Sequence, residues 1–156
     1  MQSNTTYIRV AIILIAGILA LFAFVTSYNK STVEEEKPII GVEIGDTKFS
    51  TLIADIPQLR QLGLSGRPAL GKNEGMLFIF DESKVRHFWM KEMNFPLDIV
   101  WIDENKTVAG ISRNILPESY PETFSSVVPV QYVLEIKPNT SEEKGIMVGE
   151  KVEFIY

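Results

Sequence analysis

LDIVWI, residues 97–102, is the stretch that most constrains the fold of this chain. Successive side chains of a β-strand point to opposite faces, so Leu97 and Ile99 share one face while Val100 and Ile102 share the other. Both faces are apolar except at Asp98. The pattern therefore predicts a strand that is covered on both sides.

Asp98 needs a partner in such a strand, because burying a carboxylate is costly unless it is paired or hydrogen-bonded. Asp98 follows Pro96 at the start of the strand, so backbone N–H groups of the preceding loop are one candidate. The cations Arg67, Lys91 and Arg113 are the other candidates. A structural role is the favoured interpretation, and a ligand contact or an acid–base role are the alternatives.

Further short apolar runs are typical of strands and bring the number to about eight. They are IIGVEI (39–44), TKFSTLIA (47–54), GMLFIF (75–80), VRHFWM (85–90), TVAGISRNIL (107–116), VQYVLEI (130–136) and KVEFIY (151–156). Gly45-Asp46 lies between the first two runs and predicts a two-residue hairpin turn.

Two short helices interrupt the strands. Asp55 and Gln58 make a capping-box pattern before QLRQL, and Gly63 suits the position after the helix. TSEEKG, residues 140–145, repeats the pattern. Helices this short cannot cover a sheet, so we expect a mainly β, small barrel-like domain whose strands pack on one another. Residues 117–129 contain three prolines and predict a long loop.

Residues 10–25 are an unbroken apolar run, VAIILIAGILALFAFV. Extended to residue 28, a helix here would be roughly 28 Å long, close to the roughly 30 Å thickness of a bilayer core. Arg9 precedes the run and three glutamates follow it at 34–36, which favours a cytoplasmic amino terminus. We expect an uncleaved transmembrane signal anchor over residues 1–28. The alternative is a signal peptide that is cleaved after Ser27, so that the domain is secreted.

Residues 29–37 are polar and read as a linker, and residues 38–156 form the predicted β domain outside the cytoplasm. From residue 31 onward the chain has 13 basic and 20 acidic residues, a formal charge of −7. An acidic domain without a basic cluster argues against nucleic acid as a partner. The chain has no cysteine and one histidine, so neither a zinc site nor any other metal or cofactor is predicted.

Four blocks in order resemble a known family. They are LGLSGRPAL (62–70), GMLFIF (75–80), FWMKEMNFPLDIVWID (88–103), and YVLEI (132–136) followed by GIMVGEKV (145–152). Together they are similar to the domain of unknown function 192 family, DUF 192, also called uncharacterised protein family 0127. Ser65, Glu92 and Glu150 depart from its commoner residues. The resemblance implies a compact barrel-like β domain, often behind a signal or anchor segment, and it implies no reaction.

Glu135 lies on a mixed face of its strand, with Gln131, Val133 and Lys137, so we expect an exposed carboxylate. The alternative is a carboxylate pair with Asp98 across two strands. His87 is expected to be a partly buried, hydrogen-bonded histidine rather than a general base. Trp89 and Trp101 are expected in the core or at the barrel mouth, with ring stacking on a ligand as the alternative.

The leading hypothesis is a non-enzymatic, membrane-anchored β domain outside the cytoplasm that binds a small molecule or an envelope component. No catalytic residue is assigned. Its predicted pocket is the place where Arg67, Trp89, Lys91, Asp98 and Glu135 converge. The alternatives are an envelope-glycan hydrolase or lyase that uses Asp98 and Glu135, and a protein-interaction module.

Overall fold

The computed structural model describes residue 19 and residues 40–156. The predicted anchor over 1–28, residue 19 apart, the predicted linker over 29–37 and the first two residues of the predicted domain lie outside the described residues. Within the described part, no helix combines the length and the apolar character needed to cross a membrane.

Residues 40–156 fold into nine strands, two short α-helices and one 3₁₀ turn. In chain order they are β1 (Gly41–Ile44), β2 (Thr47–Ala54), α1 (Pro57–Leu62), β3 (Glu74–Lys84), β4 (His87–Trp89), β5 (Leu97–Ile102), β6 (Val108–Ile115), the 3₁₀ turn (Pro117–Ser119), β7 (Thr123–Ser125), β8 (Val130–Ile136), α2 (Thr140–Glu143) and β9 (Val152–Ile155). The mainly β class with two short helices is therefore confirmed.

Seven strands form one curled sheet in the order β6-β5-β8-β3-β2-β1-β9. Its two edges approach each other at one end, where Thr107 pairs with Lys151. The amide of Val108 donates to the Glu150 carbonyl at 2.9 Å beside that pair. The sheet is thus a curled half-barrel, in agreement with the barrel-like domain that the sequence pattern predicts.

The hairpin turn at Gly45-Asp46 is confirmed, since Ile44 pairs with Thr47 across it. Gly45 has a φ of 56°, a left-handed conformation that glycine adopts readily. At the other end of β1, Gly41 pairs with Ile155 of β9, and the amide of Ile40 donates to the Ile155 carbonyl at 2.8 Å. The first and last strands of the domain therefore lie side by side.

Both predicted helices are present, but neither forms the predicted capping box. The residue that caps α1 is Ile56, with no side-chain hydrogen bond, and Gly63 follows the helix with a φ of 53°. Asn139 precedes α2 in the left-handed conformation, also without a side-chain cap. The Ser141 hydroxyl, in the first turn of α2, donates instead to the Asp98 carboxylate.

β5 is covered on both faces, as LDIVWI predicts, because every one of its residues is buried. The inner face of the curl packs around Leu77, Val100, Leu134 and Ile136. The outer face packs around Phe78, Ile99, Trp101 and Val133, together with residues from the loops and the second sheet.

The second sheet is a two-stranded ribbon of β4 and β7. Its central pair is Phe88 and Phe124, and both rings pack against the outer-face core. Residues 117–129 therefore contain a strand, which corrects the prediction of an unbroken loop. The strand is missed because its pairing partner lies far away in sequence and three prolines obscure its pattern.

Candidate functional site

Asp98 lies at the start of β5, fully buried, and points to the inner face of the curl. Its Oδ1 accepts hydrogen bonds from the backbone amides of Asn114 at 2.8 Å and Asn139 at 3.0 Å. Its Oδ2 accepts from the backbone amide of Ser141 at 2.9 Å and from the Ser141 hydroxyl at 2.7 Å. Four donors satisfy the carboxylate, as a buried acid requires.

The favoured structural role agrees with this geometry, but the expected donors were wrong. The amides come from the ends of β6 and the start of α2, not from the loop before β5. Among residues 40–156 no cation forms an ion pair with Asp98. Arg113 acts indirectly: its Nε donates to the Ser141 Oγ at 3.2 Å. Asp98 therefore holds β5, β6 and α2 together.

Asp98 and Glu135 do not form a carboxylate pair. In the β5–β8 ladder Asp98 is opposite Ile136, while Glu135 is opposite Ile99. Cross-strand partners share a face and neighbouring residues alternate, so the two acids lie on opposite faces of the sheet. The hypothesis of a hydrolase or lyase that uses both carboxylates is incompatible with this arrangement.

Glu135 lies on the outer face and is only 6% exposed, so the expectation of an exposed carboxylate was wrong. Its neighbours across the ladders are Met76 on β3 and Ile99 on β5. Its Oε2 is inaccessible to water and has no hydrogen-bond partner among the described residues. Burial raises the pKa of Glu135 to about 8, because the charged form has lost its hydration.

Glu135 lines a cavity of about 150 Å³ between the sheet, α1 and β4. Aromatic and aliphatic side chains make up most of the walls, and five polar or ionisable side chains, including Glu135, complete them. The other lining residues are Arg60, Gln61, Leu62, Gly63, Leu64, Ser65, Phe78, Phe80, His87, Phe88, Trp89 and Met93. A mostly apolar cavity with a small number of polar groups is the usual form of a small-molecule site.

The aromatic wall is built from β3 and β4. Phe78 and Phe80 are two residues apart on β3 and share the outer face, as the strand period requires. Phe88 packs edge-on against Phe78 at 4.9 Å between ring centroids and against Trp101 at 5.5 Å. The two phenylalanines of GMLFIF lie two residues apart, and this spacing is the sequence signal for the aromatic wall.

The opposite wall is the turn that follows α1. Gly63 ends the helix, and Leu64 then turns into the core with 1% exposure. Two hydrogen bonds tie this turn to the loop after β4: the Ser65 hydroxyl donates to the Lys91 carbonyl, and the Gly66 amide donates to the Glu92 carbonyl, each at 2.9 Å. The wall is thereby fixed relative to Trp89.

A second hollow of about 300 Å³ shares Gln61, Leu62, Ser65 and Trp89 with the first. It adds Gln58, Lys91 and Glu92. We call this hollow the vestibule of the cavity. Lys91 lies on its rim, and its Nζ is 3.8 Å from the Glu92 carboxylate.

The five residues predicted to converge therefore separate. Trp89 and Glu135 line the same cavity, and Lys91 lies in the vestibule beside Trp89. Arg67 is exposed, and it is not among the described residues that line the cavity or the vestibule. Asp98 lies on the other face of the sheet. Of the predicted set, the structure brings together Trp89, Glu135 and, in the vestibule, Lys91, and it places Arg67 and Asp98 elsewhere.

Of the remaining predictions, those for Trp101 and Trp89 agree with the structure and that for His87 does not. Trp101 is a core residue whose Nε1 donates to the Ser112 hydroxyl at 3.0 Å. Trp89 is 53% exposed, at the mouth of the cavity. His87 is exposed and lines the cavity next to Trp89, so the expectation of a partly buried histidine was wrong.

Two arginines contact the Phe80 ring of the aromatic wall. The Arg86 guanidinium lies over the Phe80 ring at 3.8 Å from its centroid, and that of Arg60 lies at 5.3 Å. Burial lowers the pKa of Arg86. Within residues 40–156 no group of three or more His, Cys, Asp or Glu side chains is arranged to hold a metal ion.

Comparison with known proteins gives a family and two similar structures. The model of the family DUF192, described as "Uncharacterized ACR", matches residues 40–154. The chain is similar to a "putative transcription regulator" from Sinorhizobium meliloti, with 30% identity, a TM-score of 0.70, and coverage of 78% of this chain and 98% of that one. It is also similar to a protein of unknown function from Novosphingobium aromaticivorans, with 32% identity, a TM-score of 0.69, and coverage of 74% and 84%. No curated protein matches the chain.

Proposed function

The chain belongs to the DUF192 family, and from this premise we propose that residues 40–156 form a small-molecule-binding domain that residues 1–28 hold at the outer face of the cell membrane. The observation that carries the binding function is the buried Glu135 carboxyl, whose Oε2 has no partner among the described residues. It lies at the floor of an aromatic cavity that opens beside Trp89.

Glu135 is energetically unfavourable in the unliganded domain. An unsatisfied buried polar group costs roughly 1–3 kcal/mol relative to a satisfied one. Glutamine or leucine would fit the same strand position without an ionisable group. A ligand that supplies the missing hydrogen-bond partner removes the cost on binding, so the position makes sense as part of a recognition site.

The size and lining of the cavity suit one compact ring or branched chain. An apolar cavity of roughly 150 Å³ accepts a molecule of benzene size. The adjoining vestibule, with Gln58, Gln61 and Lys91 on its walls, offers polar contacts to the remainder of a larger ligand. We expect the ligand to place its apolar part between Phe78, Phe88 and Trp89.

The membrane part of the proposal rests on the apolar run at 10–25 and the charges on either side of it. It is tested by adding protease to intact cells that carry the full chain with a carboxy-terminal tag. We expect loss of the tag from outside without lysis. Protection of the tag until the membrane is permeabilised would place the domain in the cytoplasm and refute this part.

The binding part is tested by thermal unfolding of the full chain in detergent micelles against a library of sugars, amino acids, amines, nucleotides and peptidoglycan fragments. A ligand at a hundred times its dissociation constant stabilises a protein by about 2.7 kcal/mol, which is a readily measured shift. We expect at least one compound class to raise the midpoint, and Glu135→Gln to remove the shift. A library without any stabilising compound would refute the binding function.

The description of one similar structure as a transcription regulator is not extended to this chain. Residues 40–156 contain 12 basic and 17 acidic residues. Binding to DNA relies on Lys and Arg that neutralise phosphates, and this balance opposes it. We therefore propose no nucleic-acid partner.

Protein docking is the second candidate function, and one observation favours it. The apolar residues Leu59 and Leu62 of α1 are 37% and 56% exposed, and Leu62 lines the cavity together with Trp89. A photo-crosslinking residue at Leu59 in cells tests this candidate. A single discrete adduct that Leu62→Ser abolishes would support docking, and diffuse labelling that Leu62→Ser leaves unchanged would refute it.

A further inference from the structure

We infer that the ligand of the cavity carries a primary ammonium group, and that this group binds the Glu135 carboxylate while a ring-sized apolar part packs against Phe78, Phe88 and Trp89. The inference rests on the proposed small-molecule-binding function and names the chemical class of ligand. It follows from three features of the cavity: its floor, its walls and its charge.

The floor calls for a hydrogen-bond donor. Glu135 Oε2 accepts no hydrogen bond from any described residue, and its neighbours in the sheet, Met76 and Ile99, are apolar. An ionised carboxylate only accepts hydrogen bonds, and charge-assisted bonds are its strongest ones. A primary ammonium in the cavity offers three donors and the opposite charge to the Glu135 carboxyl that lines it.

The walls suit a cation and an apolar body together. Aromatic ring faces attract cations, by about 0.5–1 kcal/mol at exposed sites and more where water is excluded. The fold already uses this attraction on the same wall, where the Arg86 guanidinium lies 3.8 Å from the Phe80 centroid. The volume of about 150 Å³ admits one benzene-sized group beside the ammonium.

None of the described residues that line the cavity serves as a counter-ion for Glu135. Of the described residues that line the cavity, Arg60 and His87 are the other ionisable ones. The Arg60 Nη1 is held by the carbonyls of Asp55 and Ile79. Neither Arg60 nor His87 shifts the pKa of Glu135, which is raised by burial alone. The net acidic balance of residues 40–156 attracts a cationic ligand.

Proton linkage separates this ligand class from a neutral one. With a pKa of about 8, Glu135 is mostly protonated at pH 7 in the free domain. An ammonium ligand binds the ionised form, so the carboxyl proton is released to the buffer on binding. Since an alkylammonium stays charged below pH 9, the affinity should rise about fiftyfold from pH 6 to pH 8. A neutral ligand that accepts the Glu135 proton in a hydrogen bond would instead lose affinity above pH 8.

The experiment is calorimetric titration of the full chain in detergent micelles with benzylamine, benzyl alcohol and benzoate. Benzyl alcohol has nearly the same shape as benzylamine and lacks its charge, while benzoate reverses the charge. Each titration is run at pH 6, 7 and 8, and at pH 7 in two buffers of different ionisation enthalpy. We expect benzylamine to bind at least tenfold more tightly than benzyl alcohol at pH 8, and to release about 0.9 proton at pH 7.

Glu135→Gln should reduce the affinity for benzylamine at least tenfold and abolish the proton release. The proton count in the unmodified chain keeps the inference testable even where that variant fails to fold. Benzyl alcohol binding as tightly as benzylamine, without a rise in affinity toward pH 8, would overturn the ammonium inference and leave small-molecule binding intact. Failure of all three probes and of the wider library would overturn both.

Discussion

Replacement of Glu135 by glutamine isolates the energetic effect of one buried ionisable group. The two side chains have almost the same shape, so the contacts with Met76 and Ile99 are preserved. Only the glutamate can lose a proton. The variant therefore changes how stability depends on pH while leaving the packing of the outer face nearly intact.

The sign follows from linkage. The unfolded chain ionises Glu135 near pH 4.5, whereas the folded domain keeps the proton until about pH 8. Below pH 4.5 both states are protonated and the group has no effect. As pH rises from 4.5 to 8 the unfolded state is progressively favoured, and stability falls. From pH 5 to pH 8 the loss attributable to this group is roughly 3–4 kcal/mol.

The assay is urea unfolding of the full chain in micelles at pH 5, 6, 7 and 8, monitored by tryptophan fluorescence. Urea is preferred to guanidinium because an organic cation is itself a potential ligand. The free energy of unfolding of the Glu135→Gln variant, relative to that of the unmodified chain, should rise by roughly 3–4 kcal/mol across this range. Glu153→Gln, at an exposed position of β9, is the matched control and should give no such trend. Parallel pH curves for Glu135→Gln and the unmodified chain would refute the reasoning.

Three further predictions use the same preparation. Asp98→Ala leaves four buried donors without an acceptor and should lower the unfolding free energy by about 3–5 kcal/mol, measured in urea. Asp81→Ala, at an exposed position, is the control and should change the unfolding free energy by less than about 0.5 kcal/mol. Equal effects of the two substitutions would exclude the proposed role of Asp98. Trp89→Ala should weaken benzylamine binding about threefold to fivefold in calorimetry while changing stability by less than about 1 kcal/mol, and unaltered binding would remove Trp89 from the site. Gly63→Ala forces a side chain into a φ of 53° and should cost about 1–3 kcal/mol in the same urea assay; a neutral result would show that this turn relaxes.

Local patterns carried much of the fold. LDIVWI predicted a strand covered on both faces, and Gly45-Asp46 predicted a tight hairpin, because both signals depend on neighbouring residues alone. The two helices were predicted for the same reason. The cap of α2 was not, since the Asp98 carboxylate that binds the amides of Asn139 and Ser141 lies on β5, more than 40 residues away in sequence.

The site depended on pairings that no local pattern contains. Glu135 appeared exposed because its neighbours on the strand, Gln131 and Lys137, are polar, but the ribbon of β4 and β7 and the turn after α1 cover that face. The register of β5 against β8 decides whether Asp98 and Glu135 lie on the same face of the sheet. A shift of the register by one residue would place the two carboxylates on the same face. A second non-local pairing, of β7 with β4, hid the strand within residues 117–129.

The adjacency of β1 and β9 bears on how the domain can be rewired. Because Ile40 and Ile155 are hydrogen-bonded neighbours, a short peptide suffices to join the two ends of the fold. New termini could then be opened between β7 and β8 at Val127, whose side chain is 93% exposed. Such a circular permutant would keep every strand pairing of the half-barrel while moving both ends away from the β1–β9 edge.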